Sequence, residues 1–204
     1  MAATPALAGE LRARGFRNVV LWPRGVDIRQ FHPREADLGL TRPVFLCVGR
    51  VAVEKNLDAF LSLKLPGSKV IIGEGPQEAE LRRRYPDVRF LGSLHGKTLA
   101  AHIAAADVFV FPSLTDTFGV VQLEALACGV PVAAFPVTGP RDVIGNNPVG
   151  MLSDDLREAC MGALRMSREA CRSFALGHSW ERSAQQFVGN LSNLNGSVRT
   201  PRAA

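Results

Sequence analysis

A chain of 204 residues, 47 % apolar and 21 % charged, can bury a core as one domain of ordinary-to-large size. Its formal net charge of +5 is dispersed, with neither zinc-finger spacing nor the aromatic-basic signature of RNA binders, so nucleic acid is excluded as a partner. No apolar run approaches the roughly 18 residues of a membrane span, and the small-residue start lacks the basic and apolar segments of a signal peptide. Cys47, Cys128, Cys160 and Cys171 are scattered without CxxC spacing, which fits a reducing, cytoplasmic setting; Cys47 and Cys128, inside apolar runs, read as small core residues.

The chain opens on a helix-then-strand pattern, with Val19–Trp22 as the first predicted strand, followed by the turn Gly25-Val26-Asp27. Val44–Val48 is a second strand, ending at Gly49-Arg50. Lys69–Ile72 is a third, ending at Gly73-Glu74-Gly75-Pro76, where Pro76 suits a first helical position. Val88–Leu91 ends at Gly92, Val108–Phe111 ends at Pro112-Ser113, and Pro131–Phe135 ends before Gly139-Pro140; a weak seventh strand falls at Gly150–Leu152. Between them Leu57–Leu63, Gln77–Tyr85, Thr98–Ala106 and Val120–Cys128 carry apolar residues at three- and four-residue spacing, and Asp155–Leu194 reads as helical, with Ser179 as an N-cap before Trp180. Short, continuously apolar strands alternating with helices specify a parallel sheet covered on both faces, a doubly wound, Rossmann-like α/β domain. Ligands of such sheets bind at the carboxyl ends of the strands, where the Gly-rich and polar segments lie.

Three segments carry chemistry. In Gly49-Arg50-Val51-Ala52-Val53-Glu54-Lys55, Arg50 and Lys55 flank a loop that opens a helix; they either converge on a diphosphate or belong to a surface ion pair with Glu54. In Asp116-Thr117-Phe118-Gly119-Val120, the amides of Phe118, Gly119 and Val120 lie at a helix N-terminus, where they lack intrahelical partners and suit an anion. Eight positions after Asp116 comes Glu124, on the helix face of Val120 and Cys128. His95, after Phe90-Leu91-Gly92, either meets a ligand or faces water. The triplet Arg82-Arg83-Arg84 reads as a solvated helix face, with peripheral contact to anionic lipid at the inner face of the membrane as the functional alternative.

Phe118-Gly119 followed by Glu124-Ala125-Leu126-Ala127-Cys128-Gly129-Val130-Pro131-Val132 closely resembles the E-x-F-G, E-A-x-A-x-G-x-P-V signature of the family 4 retaining glycosyltransferases of GT-B fold. Asp116 stands where that family usually has Glu and keeps the carboxylate with one methylene less reach. Gly49-Arg50 with Glu54-Lys55 resembles its G-R-x-x-x-E-K segment, and Gly25-Val26-Asp27 with Phe31 and Pro33 its G-V-D-x-x-x-F-x-P segment. The resemblance spans residues 4–194 and is strongest toward mannosyltransferase-like members. It implies that Gly49, Arg50 and Lys55 hold the donor diphosphate and that the Phe118, Gly119 and Val120 amides bind phosphate and sugar hydroxyls. It also implies that Asp116 faces the transferred sugar and that Glu124 holds the ribose; Asp116, Arg50 and Lys55 are the catalytic candidates. Gly25, Leu94 and His95 are further donor-site candidates. The implied substrate is a GDP- or UDP-linked sugar, with no cofactor and no metal, since no Asp-x-Asp motif is present.

The expected layout is a nucleotide-sugar-binding domain over 1–178, a crossover helix over 179–194 and a disordered tail over 195–204. On this reading the chain is the C-terminal, donor-binding half of a GT-B enzyme, inactive alone. It works with an N-terminal domain or partner subunit that supplies the acceptor site. The competing reading is a non-catalytic nucleotide-sugar-binding module. A dinucleotide enzyme is disfavoured because no early G-x-G-x-x-G occurs.

Overall fold

The computed structural model describes residues 1–195. After α1 (Pro5–Ala13), strands and helices alternate: β1 (Val44–Val48), α2 (Leu57–Leu61), β2 (Ser68–Ile72), α3 (Glu78–Arg84), β3 (Arg89–Phe90), α4 (Gly96–Ala105) and β4 (Val108–Phe111). They continue with α5 (Val120–Ala127), β5 (Val132–Ala134), α6 (Pro140–Val143), β6 (Gly150–Leu152), α7 (Leu156–Ala163), α8 (Arg168–Leu176) and α9 (Trp180–Asn195). The six strands form one sheet in the order β3-β2-β1-β4-β5-β6, and every pairing is parallel.

The apolar strands explain the two-faced core. Side chains alternate across a strand, so Val44 and Leu46 enter one apolar cluster while Phe45 and Cys47 enter the other. The same split divides Phe109 and Phe111 from Val108 and Val110. One face is covered by α4, α5 and α8 through Ile103, Leu123, Leu126 and Cys171; the other by α2, α3 and α7 through Phe60, Leu81 and Cys160. All four cysteines are buried and free, and burial pushes their thiols up to about 12. Among the described residues no helix is long and apolar enough to cross a membrane.

The first predicted strand is not part of this sheet. Of Val19–Trp22 only Leu21 forms an isolated bridge, to Ala2, with the Ala2 amide donating to Val20 O at 2.9 Å and the Trp22 amide to Ala2 O at 2.8 Å. The reason is competition for partners: residues 21–23 are taken up by α9 instead. Trp22 Nε1 donates to Ser183 O at 3.1 Å, Ser183 Oγ to Pro23 O at 2.8 Å, and the Trp22 and Phe187 rings lie 4.8 Å apart. Ser179 caps α9, accepting from the Arg182 amide at 3.3 Å. Pro76 falls in the turn before α3 rather than at its first helical position, and α6 was not foreseen. Asn195 ends α9 instead of starting a tail; the rest of the segment expected to be disordered lies outside the described residues. In the arginine triplet, Arg82 pairs with Glu78 at 2.8 Å and Arg84 with Asp58 at 2.9 Å, so two of the three charges are engaged on the protein's own surface.

Candidate functional site

The sheet order reverses between β1 and β4, and a cleft opens there at the carboxyl ends of the strands, the position where open α/β sheets take ligands. It is a cavity of about 440 Å³ walled by Gly49, Lys55, Asp116, Gly119, Val120 and Glu124, with Phe111 and Phe118 also lining it. A larger cavity of about 580 Å³ lies between α6 and β6, lined by Gly145–Pro148 and Arg141. It sits at the sheet edge, away from the switch point, and holds none of the predicted site residues.

Lys55 is delivered by a short 3₁₀ turn, Val53–Lys55, after which Asn56 adopts a left-handed conformation (φ 50°) and donates through Nδ2 to Pro112 O at 3.1 Å. That bond ties the β1 loop to the end of β4. It brings Lys55 Nζ to 2.9 Å from Asp116 Oδ2, with the side chains 27 % and 18 % exposed, and 5.8 Å from the Phe111 ring centre. Arg50 does not join this pair. It is exposed, lies 3.8 Å from Glu54, and lines a neighbouring cavity of about 370 Å³ that shares Val48 and Gly49 with the first. Leu94 and His95 line that second cavity too, so a ligand passing over Gly49 would span both. Gly25 lines neither; a Cβ there would stand 2.6 Å from the backbone of Trp180, so its smallness serves the packing of α9.

The loop before α5 is shaped by Gly119, at φ 73°, where a Cβ would meet Gln122 Nε2 at 2.6 Å and Phe111 Cζ at 3.0 Å. The Phe118 amide is not free for an anion: it donates to Asp116 Oδ1 at 3.3 Å. The amides of Gly119 and Val120 have no acceptor among the described residues and remain at the helix end. Asp116 also borders a third cavity, of about 430 Å³, walled by Thr4, Leu7 and Glu10 of the α1 region and by Thr138. Gly139 packs beneath it, its notional Cβ 3.2 Å from Asp116 O.

Glu124 is half-buried, and no hydrogen bond to its carboxylate occurs among the described residues. Burial alone pushes its carboxyl up from the ordinary 4.5. In this pH window the native state binds more protons than the unfolded chain. The contribution of Glu124 to stability is therefore fully present below 4.5 and is lost as pH rises through the raised native value. Glu124→Gln is expected to raise the melting temperature at neutral pH and to flatten this part of the pH profile. If the carboxylate holds a ribose, the same variant weakens a ribonucleotide about tenfold, the scale of one hydrogen bond to a charged group, and leaves inorganic diphosphate unaffected. Equal loss for both ligands would mean a disturbed helix instead.

Sequence reasoning missed two residues. Gln122 is wholly buried in α5 and donates through Nε2 to Phe118 O at 3.1 Å, which braces the loop. Arg24 lines the Lys55 cleft. No local pattern marks Arg24, since only the packing of residues 21–26 on α9 carries it to the site.

Residues 42–166, more than half of the chain, match the family of glycosyl transferases group 1. The GDP-mannose-dependent alpha-mannosyltransferase of Mycobacterium tuberculosis (strain CDC 1551 / Oshkosh) is 34 % identical over 222 aligned residues, which take in 100 % of this chain and 58 % of that protein. The sulfoquinovosyl transferase SQD2 of Arabidopsis thaliana is 37 % identical over 144 residues, 64 % of this chain and 28 % of that protein. The sucrose-phosphate synthase structure from Thermosynechococcus elongatus superposes with a TM-score of 0.79 at 26 % identity, covering 96 % of this chain and 58 % of that one. The chain thus spans well under two thirds of the mycobacterial relative. With a parallel doubly wound sheet of GT-B type and a family match running from the start of β1 past α7, the chain belongs to the group 1 glycosyltransferases.

Proposed function

We propose that this chain is the donor-binding half of a retaining, metal-independent hexosyltransferase, and that its donor is GDP-mannose. The supporting observation is the convergence in one cleft of the Lys55–Asp116 pair, the unengaged amides at the start of α5 and the half-buried Glu124 carboxylate. Lys55 and the α5 amides would take the diphosphate, and the positive charge fixed there would stabilise the leaving nucleoside diphosphate, the task a divalent cation performs elsewhere. Glu124 would accept from the ribose hydroxyls. Asp116, between the first and third cavities, would face the transferred sugar, and Leu94 and His95 the base. GDP and mannose are favoured over the uridine donors by the GDP-mannose-dependent relative. In this reading residues 1–178 form the donor domain and 179–194 the crossover helix. An N-terminal domain, in cis or as a partner subunit, supplies the site for the glycan or glycolipid acceptor.

Titration calorimetry of the 204-residue chain with GDP, GDP-mannose and UDP in EDTA tests the donor half of this reading. GDP and GDP-mannose are expected to bind, more tightly than UDP. Absence of heat for all three at millimolar ligand would overturn it. Positioning of donor and acceptor in one cleft supplies much of the rate of such transfers. The chain alone is therefore expected to transfer no mannose to a mannoside acceptor, and addition of an N-terminal GT-B domain to restore transfer with retention.

A further inference from the structure

Taking the donor cleft as proposed above, the geometry points to Arg24 as a cation that grips the donor diphosphate in the cavity it shares with the start of α5. The charge count of the cleft leads there. Lys55 is already neutralised by Asp116 at 2.9 Å, and Glu124 adds a carboxylate with no cation beside it. Without a further positive group the cleft would carry a net negative charge and repel a doubly anionic diphosphate. Arg50 is turned toward the adjoining cavity, with Glu54 at 3.8 Å. Arg24 lines the same cavity as Lys55, Gly119 and Glu124, and forms no ion pair among the described residues.

Arg24 is exposed, as Arg50 is, but it has an aromatic support that Arg50 lacks among the described residues. Its guanidinium lies over the Trp22 ring, 5.5 Å from the ring centre, and Trp22 is itself fixed by its bond to Ser183 O at 3.1 Å and by Phe187 at 4.8 Å. The next residue, Gly25, is wedged against the Trp180 backbone, with Val26 N donating to His178 O at 2.9 Å. A planar guanidinium stacked on an aromatic face keeps its N–H edge available for two phosphate oxygens, and part of its ordering cost is already met. Because Trp22 rests on α9, this grip also couples donor binding to the seating of that helix.

Calorimetry of the unaltered chain, Arg24→Ala and Arg24→Lys with GDP, GMP and inorganic diphosphate tests the assignment. Arg24→Ala is expected to lose roughly tenfold or more in affinity for GDP and diphosphate, on the scale of a charge-assisted hydrogen bond, and distinctly less for GMP. Arg24→Lys is expected to recover part of that loss, and all three proteins to melt alike. Two results overturn the role of Arg24 while leaving the donor site standing. One is wild-type affinity of Arg24→Ala for GDP and diphosphate alongside a weakened Lys55→Ala. The other is an equal loss for all three ligands, which would mark Arg24 as only packing Trp22. Failure of the unaltered chain to bind GDP would overturn the donor site itself, and the assignment with it.

Discussion

Lys55→Ala is expected to weaken GDP binding by about 1.5–3 kcal/mol, the range for hydrogen bonds to charged groups. Two effects act in the same direction. The ammonium that would meet the phosphate is removed, and Asp116, formerly 2.9 Å from it, becomes an unpaired carboxylate 18 % exposed beside an incoming anion. The cost to folding should be smaller, because the pair is partly open to solvent and such pairs contribute on the order of 1 kcal/mol or less. The double variant Lys55→Ala/Asp116→Ala separates the two terms. It should bind GDP better than Lys55→Ala alone, since the repulsion is gone, and the difference between single and double variants measures the coupling. Arg50→Ala, by contrast, should cost less than Lys55→Ala, given an exposed side chain outside the Lys55 cavity. Calorimetry with GDP and thermal melts of each variant provide the comparison. Normal GDP binding by Lys55→Ala would reduce the Lys55–Asp116 pair to a structural tie between β1 and β4.

Gly73→Ala is expected to cause the largest loss of stability of any single methyl added at the cleft, more than about 4 kcal/mol, or to prevent folding. Gly73 has φ 136°, and a Cβ there would stand 1.9 Å from Gly49 O and 2.9 Å from Gly49 C. These are main-chain atoms and cannot swing aside as a side chain would. The crossing is locked on every side: Gly49 N donates to Ile72 O at 2.9 Å, Gly73 N to Gly92 O at 2.8 Å, and Val51 N to Glu74 O at 2.9 Å. Since Gly49 floors both the Lys55 cavity and the His95 cavity, any partial accommodation should also widen the site and weaken nucleotide binding. Gly96→Ala is the control. Its φ is 56° but no atom lies within 4 Å of a notional Cβ, so only the conformational cost of about 1 kcal/mol should appear. Urea unfolding measures both. Similar midpoints for the two variants would mean that the Gly49–Gly73 crossing relaxes freely.

What the residues determine by themselves is local. Continuous runs such as Val108–Phe111, alternating with helical patterns such as Val120–Ala127 behind Gly119, specify strands buried on both faces and helices that begin at glycine turns. The parallel doubly wound sheet, and the placing of its glycine loops at one end, follow from that alternation. The motif order also suffices to recognise the family. The tertiary structure decides what depends on partners distant in the chain. Val19–Trp22 has the composition of a strand, yet a strand needs a neighbour, and α9 claims this segment through Ser183 and Phe187 more than a hundred and fifty residues later. Lys55 and Arg50 look equivalent in sequence, but Lys55 turns toward Asp116 and Arg50 toward solvent, because Asn56 anchors the loop to Pro112. Arg24 has no local mark at all and enters the cleft only through the packing of Trp22. The raised carboxyl of Glu124 likewise comes from how deeply α5 is packed, a quantity that no spacing along the chain encodes.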